Sequence, residues 1–128
     1  MEEALRALLL ADGAVAALAG GRVDWGETRQ SAGRPYAVLT LIGGAPGRTQ
    51  SGPDGLFQGR VQIDCAAETY AEAKALSRAV RGALDGRSAG GFQGIFLSAE
   101  RDGRDAEVAD ALFGVSLDFL IAWSKQDG

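Results

Sequence analysis

The chain has 128 residues, 46% hydrophobic and 23% charged, which fits one domain and argues against a disordered polymer. Its net charge of -4, with pI near 4.8, argues against a sequence-independent grip on nucleic acid, because that grip rests on Lys and Arg neutralising phosphates. Histidine is absent, so neither a Ser-His-Asp nor a Cys-His site can form within one chain.

Glu2 to Ala11 reads as a helix, with Ala4, Leu5, Leu8 and Leu9 on the apolar side that should dock on a sheet and the early acids at the positive end of the helix dipole. Its apolar run, Ala4 to Leu10, is too short to span a bilayer. Acidic Glu2 and Glu3 stand where a secretory signal carries positive charge, so a cytoplasmic product without membrane contact is expected. Asp12-Gly13 breaks the helix, Ala14 to Leu18 adds a turn or two, and Gly20-Gly21 ends it. Val23, Asp24 and Trp25 suit a short edge strand, and the polar and small residues from Gly26 to Arg34 a surface loop.

Tyr36 to Ile42 is β-branched and aliphatic, a strand with both faces partly covered. Gly43 to Gly55 is rich in Gly and Pro and is expected as a low-order segment at the tip of a long projecting hairpin. Its Gly43 to Thr49 part superficially resembles a phosphate-binding loop. The glycine spacing is one short, however, Arg48 stands where Lys is required, and Pro46 removes an amide donor.

The return strand, Leu56 to Ala66, contains the clearest pattern in the chain. Val61, Ile63 and Cys65 alternate with Arg60, Gln62 and Asp64, so the first set points inward and the second outward. The lone Cys65 therefore reads as a small buried hydrophobe, and with no second cysteine the chain suits a reducing compartment. Thr69 precedes Glu72 by three residues, a capping box at a helix start. Ala73, Leu76, Val80, Ala83 and Leu84 then recur at helical spacing to about Asp85, and Gly86 supplies the stop. Arg78 and Arg81 fall on the solvated side.

Phe92 to Ala99 predicts a further strand, with Gln93, Ile95 and Leu97 on one side and Phe92 and Phe96 on the other. Asp102-Gly103 signals a turn within the charged stretch Glu100 to Asp110, whose acids lack the ligand order and central Gly of a calcium loop. The last strand carries Phe113, Val115, Leu117, Phe119, Ile121 and Trp123 on its inner face, alternating with Gly114, Ser116, Asp118, Leu120 and Ala122. Trp25 and Trp123 suit core or interface anchors. The fold class is α+β: an antiparallel or mixed sheet of about four strands, with the long helix and the N-terminal helix packed on one face and a long flexible hairpin arm. No convergent set of side chains suggests catalysis, a metal or a cofactor.

Several segments together resemble the tail-completion and tail-terminator proteins of siphophage-type particles. They are the N-terminal Glu-Glu-Ala-Leu-Arg-Ala-Leu-Leu helix, Arg34-Pro35-Tyr36, Gly59-Arg60-Val61-Gln62-Ile63-Asp64-Cys65 with Thr69-Tyr70-Ala71-Glu72-Ala73, and Val115-Ser116-Leu117-Asp118-Phe119. The Ala- and Gly-rich character is similar to members from prophages and gene transfer agents of alphaproteobacteria. An aromatic that many relatives place near Ala66 or Ala67 is missing. The resemblance implies a structural protein, not an enzyme, with one domain over 1–128 and no cofactor. It further implies a ring, commonly a homo-hexamer, at the head-proximal end of the tail tube. Its partners would be further copies of itself, the tail tube protein and a head-side stopper or neck protein, with DNA passing through the lumen without specific binding. Assembly is expected in the bacterial cytoplasm. On this reading Arg48, Thr49, Gln50, Ser51 and Asp54 of the arm are candidate contacts to tube or subunit, and Arg60, Gln62 and Asp64 are candidate contacts on the polar sheet face. A stopper or head-completion protein of the same neck is the near alternative, and a small cytoplasmic ligand-binding domain the distant one.

Overall fold

Alternation along the central strand decides which side of the molecule is filled. Val61, Ile63 and Cys65 have no solvent exposure, and they share one hydrophobic cluster with Val115, Leu117 and Phe119 of the neighbouring strand and with Leu76 and Val80 of the long helix. A computed structural model describes residues 2–26, 35–49, 52–88, 91–105 and 112–124. In chain order the elements are α1 (Glu2–Ala11), α2 (Gly13–Ala19), β1 (Val23–Trp25), β2 (Tyr36–Thr49), β3 (Gly52–Ala67), α3 (Tyr70–Leu84), β4 (Phe92–Asp105) and β5 (Leu112–Ser124). The expected surface loop at Gly26 to Arg34 and the polar tail from Lys125 fall almost wholly outside the described residues.

The strands form one five-stranded sheet in the order β1-β2-β3-β5-β4. β1 lies parallel to β2, and the remaining neighbours are antiparallel, so the sheet is mixed. Because β3 and β4 both run opposite to β5, they run parallel to each other, and α3 is the crossover between them. That crossover lays α3 over the sheet with Ala73, Leu76, Val80, Ala83 and Leu84 buried, the residues its helical spacing marks. α1 buries Leu5 and Leu9, and α2 buries Val15 and Ala19, into the same cluster. Arg6 fastens α1 to the edge strand, donating from Nε to the Val23 carbonyl at 2.6 Å, and the Trp25 indole donates to the Glu2 carbonyl at 2.9 Å.

The helix ends follow local chemistry. Asp12 caps α2, accepting from the Val15 amide at 3.0 Å. Thr69 caps α3, accepting from the Glu72 amide at 3.2 Å while its hydroxyl donates to the Glu72 carboxylate at 2.9 Å. Beyond α3, Gly86 takes φ +79, a conformation L side chains rarely adopt.

Two expectations change. The segment expected to be low-order, Gly43 to Gly55, is mostly strand: β2 and β3 stay paired out to Thr49 opposite Gly52. Two register shifts, between Leu41 and Gly43 and between Pro46 and Arg48, absorb the residues that fit a ladder poorly. β1 pairs only with Ala37 to Leu39, so Pro46 lies where β2 is an outer strand and a missing amide costs little. Gln50 and Ser51 lie outside the described residues. The second change is parity in β4. The register slips between Phe92 and Gly94 and again between Leu97 and Ala99, so Phe92 and Ile95 are both buried while Phe96 is exposed. β4 also runs through Asp102-Gly103 to Asp105, so the turn signalled there by the sequence is strand. Phe113 lies opposite Ala67 and meets the Tyr70 ring edge-on at 6.4 Å.

Leu76→Ala, which empties the space between α3 and the sheet, should lower unfolding stability by about 2–5 kcal/mol, and Thr69→Ala by about 1 kcal/mol. Denaturant titration followed by circular dichroism measures both.

Candidate functional site: the open face of the sheet

All three helices cover one side of the sheet, leaving the side chains of alternate positions on the other side without a helical cover. The registers place these in cross-strand rows. One row holds Phe96, Leu120 and Arg60, the next Asp118, Gln62 and Thr40, and the next Arg101, Ser116, Asp64 and Val38.

The two polar rows satisfy themselves. Gln62 donates from Nε2 to both Asp64 carboxylate oxygens, at 3.0 and 3.1 Å, and the Ser116 hydroxyl donates to Asp64 Oδ1 at 2.5 Å. Arg101 reaches across from the edge strand and donates to Asp118 Oδ2 at 2.9 Å and Oδ1 at 3.3 Å, and to Gln62 Oε1 at 3.4 Å. The two-pronged Arg101–Asp118 pair gives Asp118, only 7% exposed, a hydrogen-bonded partner on the sheet. The same carboxylate holds the Arg101 pKa above its ordinary value, through its hydrogen bond first and its charge second. Of the three sheet-face residues singled out from sequence, Gln62 and Asp64 are therefore joined to each other, while Arg60 makes no ion pair or side-chain hydrogen bond among the described residues. Sequence reasoning missed Arg101 because it stood in a stretch read as a turn. Its only signal is its register opposite Ser116, which the bulge conceals.

The row beside Arg60 differs in character. Phe96 is 57% and Leu120 45% exposed, two large apolar side chains directly opposite each other on an uncovered surface. Gly94 makes room for the ring: a Cβ there would stand 2.6 Å from Phe96 Cε2.

On the helix side, the far end of β4 is clipped to α3. Lys74 Nζ stands 2.7 Å from Asp102 and 3.9 Å from Glu100, and Arg81 stands 3.8 Å from Glu100. The Tyr70 hydroxyl donates to Asp102 at 2.7 Å. Hydrogen bonds from Lys74 first and Tyr70 second hold the Asp102 carboxyl below its ordinary pKa, and the bond to Asp102 raises both Tyr70 and Lys74. Glu100 and Asp102 of the charged stretch are thus matched by Lys74 and Arg81; Glu107 and Asp110 lie outside the described residues. No group of three or more His, Cys, Asp or Glu among the described residues is arranged to hold a metal. Cys65 is fully buried, and burial pushes its thiol pKa up, so it packs as an apolar side chain and is not a nucleophile. The arm residues Arg48, Thr49 and Asp54 lie in the outer part of the β2–β3 hairpin.

Among the described residues the face offers apolar and polar contact surface, with the Arg101–Asp118 pair matched within it and Arg60 left without an ion pair. A family model described as tail completion protein gp17 matches residues 3–124. The chain belongs to this family. This tail completion protein is accordingly a structural component of a tail and not an enzyme. It is also similar to a chain in the solved virion of a native gene transfer agent particle, at 25% identity and a TM-score of 0.75, over 94% of this chain and 92% of that one. No similar protein was found among curated sequences. Among the described residues no helix is long and apolar enough to cross a membrane.

The β4 clip has a defined pH signature. Because the Asp102 pKa is depressed on folding, its stabilisation is fully present above the ordinary carboxylate value and is lost as pH falls through the lower folded value. Lys74 and Tyr70 are raised, so their share persists up to their ordinary values and is lost only in strong alkali. The difference in melting temperature between wild type and Asp102→Asn should therefore be constant across neutral pH and shrink below about pH 4. Thermal melts from pH 3 to 8 measure it, and the effect should be small because these groups are solvent-screened.

Proposed function

We propose that this tail completion protein, acting as one domain over 1–128, assembles into a ring, most simply a homo-hexamer. The ring sits on the head-proximal end of a phage-like tail tube, stops its growth and presents the next surface to a head-side stopper or neck protein. The observation that carries the reading is the extent of the family match, residues 3–124, which takes in all but one residue of the described fold. The likeness to a chain of a gene transfer agent virion, covering nearly all of both chains, supports a place in a particle of that kind. Assembly takes place in the bacterial cytoplasm before the tail joins the head.

A terminator must fit the last tube ring on one side and refuse a further tube subunit on the other, so its two ring faces must differ. Ring closure by identical copies likewise needs two unlike, complementary surfaces on each subunit. A two-layer fold with helices on one side and bare sheet on the other provides unlike surfaces from one short chain. The β2–β3 hairpin, with Arg48, Thr49 and Asp54 towards its end, supplies a contact to the tube or the adjacent subunit, and Gln50 and Ser51 stay contact candidates on the sequence alone. A net charge of -4 per copy, multiplied around a ring, repels DNA phosphates and suits a passage through which DNA moves without sticking.

Deleting the gene should give tubes of uncontrolled length that are not joined to capsids, visible by negative-stain electron microscopy. Tubes of normal length with empty necks would instead assign the chain to the stopper level, and normal joined particles would refute a completion role. Purified protein should bind tube ends in preference to filled heads.

A further inference from the structure

Among the described residues, the β4 edge of the sheet is poorly suited to pairing with another chain, whereas on the other side the three-residue β1 covers only Ala37 to Leu39 of β2. The outer edge of β4 is covered where it is apolar: the Gly86 amide donates to the Ile95 carbonyl at 2.8 Å, the Ile95 amide donates to the Arg87 carbonyl at 3.1 Å, and the Leu97 amide donates to the Asp85 carboxylate at 2.9 Å. Beyond that cover β4 becomes charged, from Glu100 to Asp105, which discourages edge-to-edge association. On the β4 side of the sheet, contact surface is therefore offered by the faces and not by the edge.

On the open face, Leu120 lies between Phe96 and Arg60 in one row, so two exposed apolar side chains adjoin an exposed cation without an ion pair. The opposite layer offers the complement. α1 buries Leu5 and Leu9 and leaves Glu3, Ala7 and Ala11 exposed at successive four-residue steps, with exposed Ala14 and Ala17 following on α2. Glu3 makes no ion pair or side-chain hydrogen bond among the described residues, and the alanines form a smooth apolar surface against which an aromatic ring and a leucine can lie flat.

From this complementarity of charge and shape we infer that the Phe96–Leu120–Arg60 row of one copy docks on the Glu3–Ala7–Ala11 side of α1 in a second copy. The inference rests on the ring reading above. The two patches lie on opposite layers of the fold, so the contact is head-to-tail, the kind that propagates from copy to copy until a ring closes. The apolar pair supplies most of the affinity, while Arg60 with Glu3 sets orientation.

Charge reversal tests the pairing on the full-length purified protein, with association measured by sedimentation velocity at low and moderate salt. Arg60→Glu and Glu3→Arg should each weaken self-association about five- to tenfold, and the double variant should restore it to near the wild-type level. Phe96→Ser with Leu120→Ser should weaken it about thirtyfold or more while leaving the melting temperature of the monomer nearly unchanged, since both side chains are exposed. Wild-type rings that none of these variants disturbs would overturn the contact and leave the ring reading standing. Single reversals that weaken association without rescue in the double variant would overturn the pairing. A wild-type chain that stays monomeric both alone and on tube ends would overturn the ring reading together with the contact.

Discussion

The structure depends on one asymmetry: three helices seal one face of the sheet and nothing within the described chain seals the other. The asymmetry originates in the period-2 pattern of β3 and β5, where Val61, Ile63, Cys65, Val115, Leu117 and Phe119 all fall on one side and meet Leu76 and Val80 from α3. Burial on that side supplies the folding energy, so the other side is free of the duty to form a core. What occupies it is correspondingly varied: Asp64, Ser116, Gln62, Asp118 and Arg101 are joined by hydrogen bonds, and Phe96 and Leu120 remain exposed at the end of the same surface.

On the proposed reading, this division separates stability from assembly. Because Asp118 already holds both prongs of Arg101, this part of the face can approach another protein without stranding that pair, and Arg60 is left as the cation without an ion pair among the described residues. A face whose polar groups awaited partners would be costly in the free subunit and adhesive to the wrong neighbours. The Lys74–Asp102–Tyr70 clip on the helix side acts in the same direction, fixing the far end of β4 so that the Arg101 row is presented in one register. The chemistry of the tail completion protein is that of surfaces, and its fully buried cysteine is packing material.

Much of this was legible in the sequence because the relevant patterns were local and periodic. The buried face of α3 follows from the spacing of Ala73, Leu76, Val80, Ala83 and Leu84, the Thr69 cap from its offset to Glu72, and the inner set of β5 from unbroken alternation. The parts that were not legible depend on long-range pairing. Gly and Pro in Gly43 to Gly55 signal irregular chain, yet pairing with β3 holds the backbone extended across two bulges. In β4 a single extra residue between Phe92 and Gly94 puts Phe92 and Ile95 on one face, and no local composition announces such a slip. Arg101 was hidden for the same reason. Arg60, Gln62 and Asp64 were correctly placed on the outer face, but only the three-dimensional register separates the two that are joined from the one left free.

The most direct measurement is an electron cryo-microscopy reconstruction of assembled tails at side-chain resolution, focused on the head-proximal end. A single closed ring of this chain at that end, with the bare side of each sheet lying against the helical layer of the next copy, is the expected result. A lone copy at the neck, or rings in which Phe96 and Leu120 face open solvent, would contradict the assignment of assembly to the uncovered face.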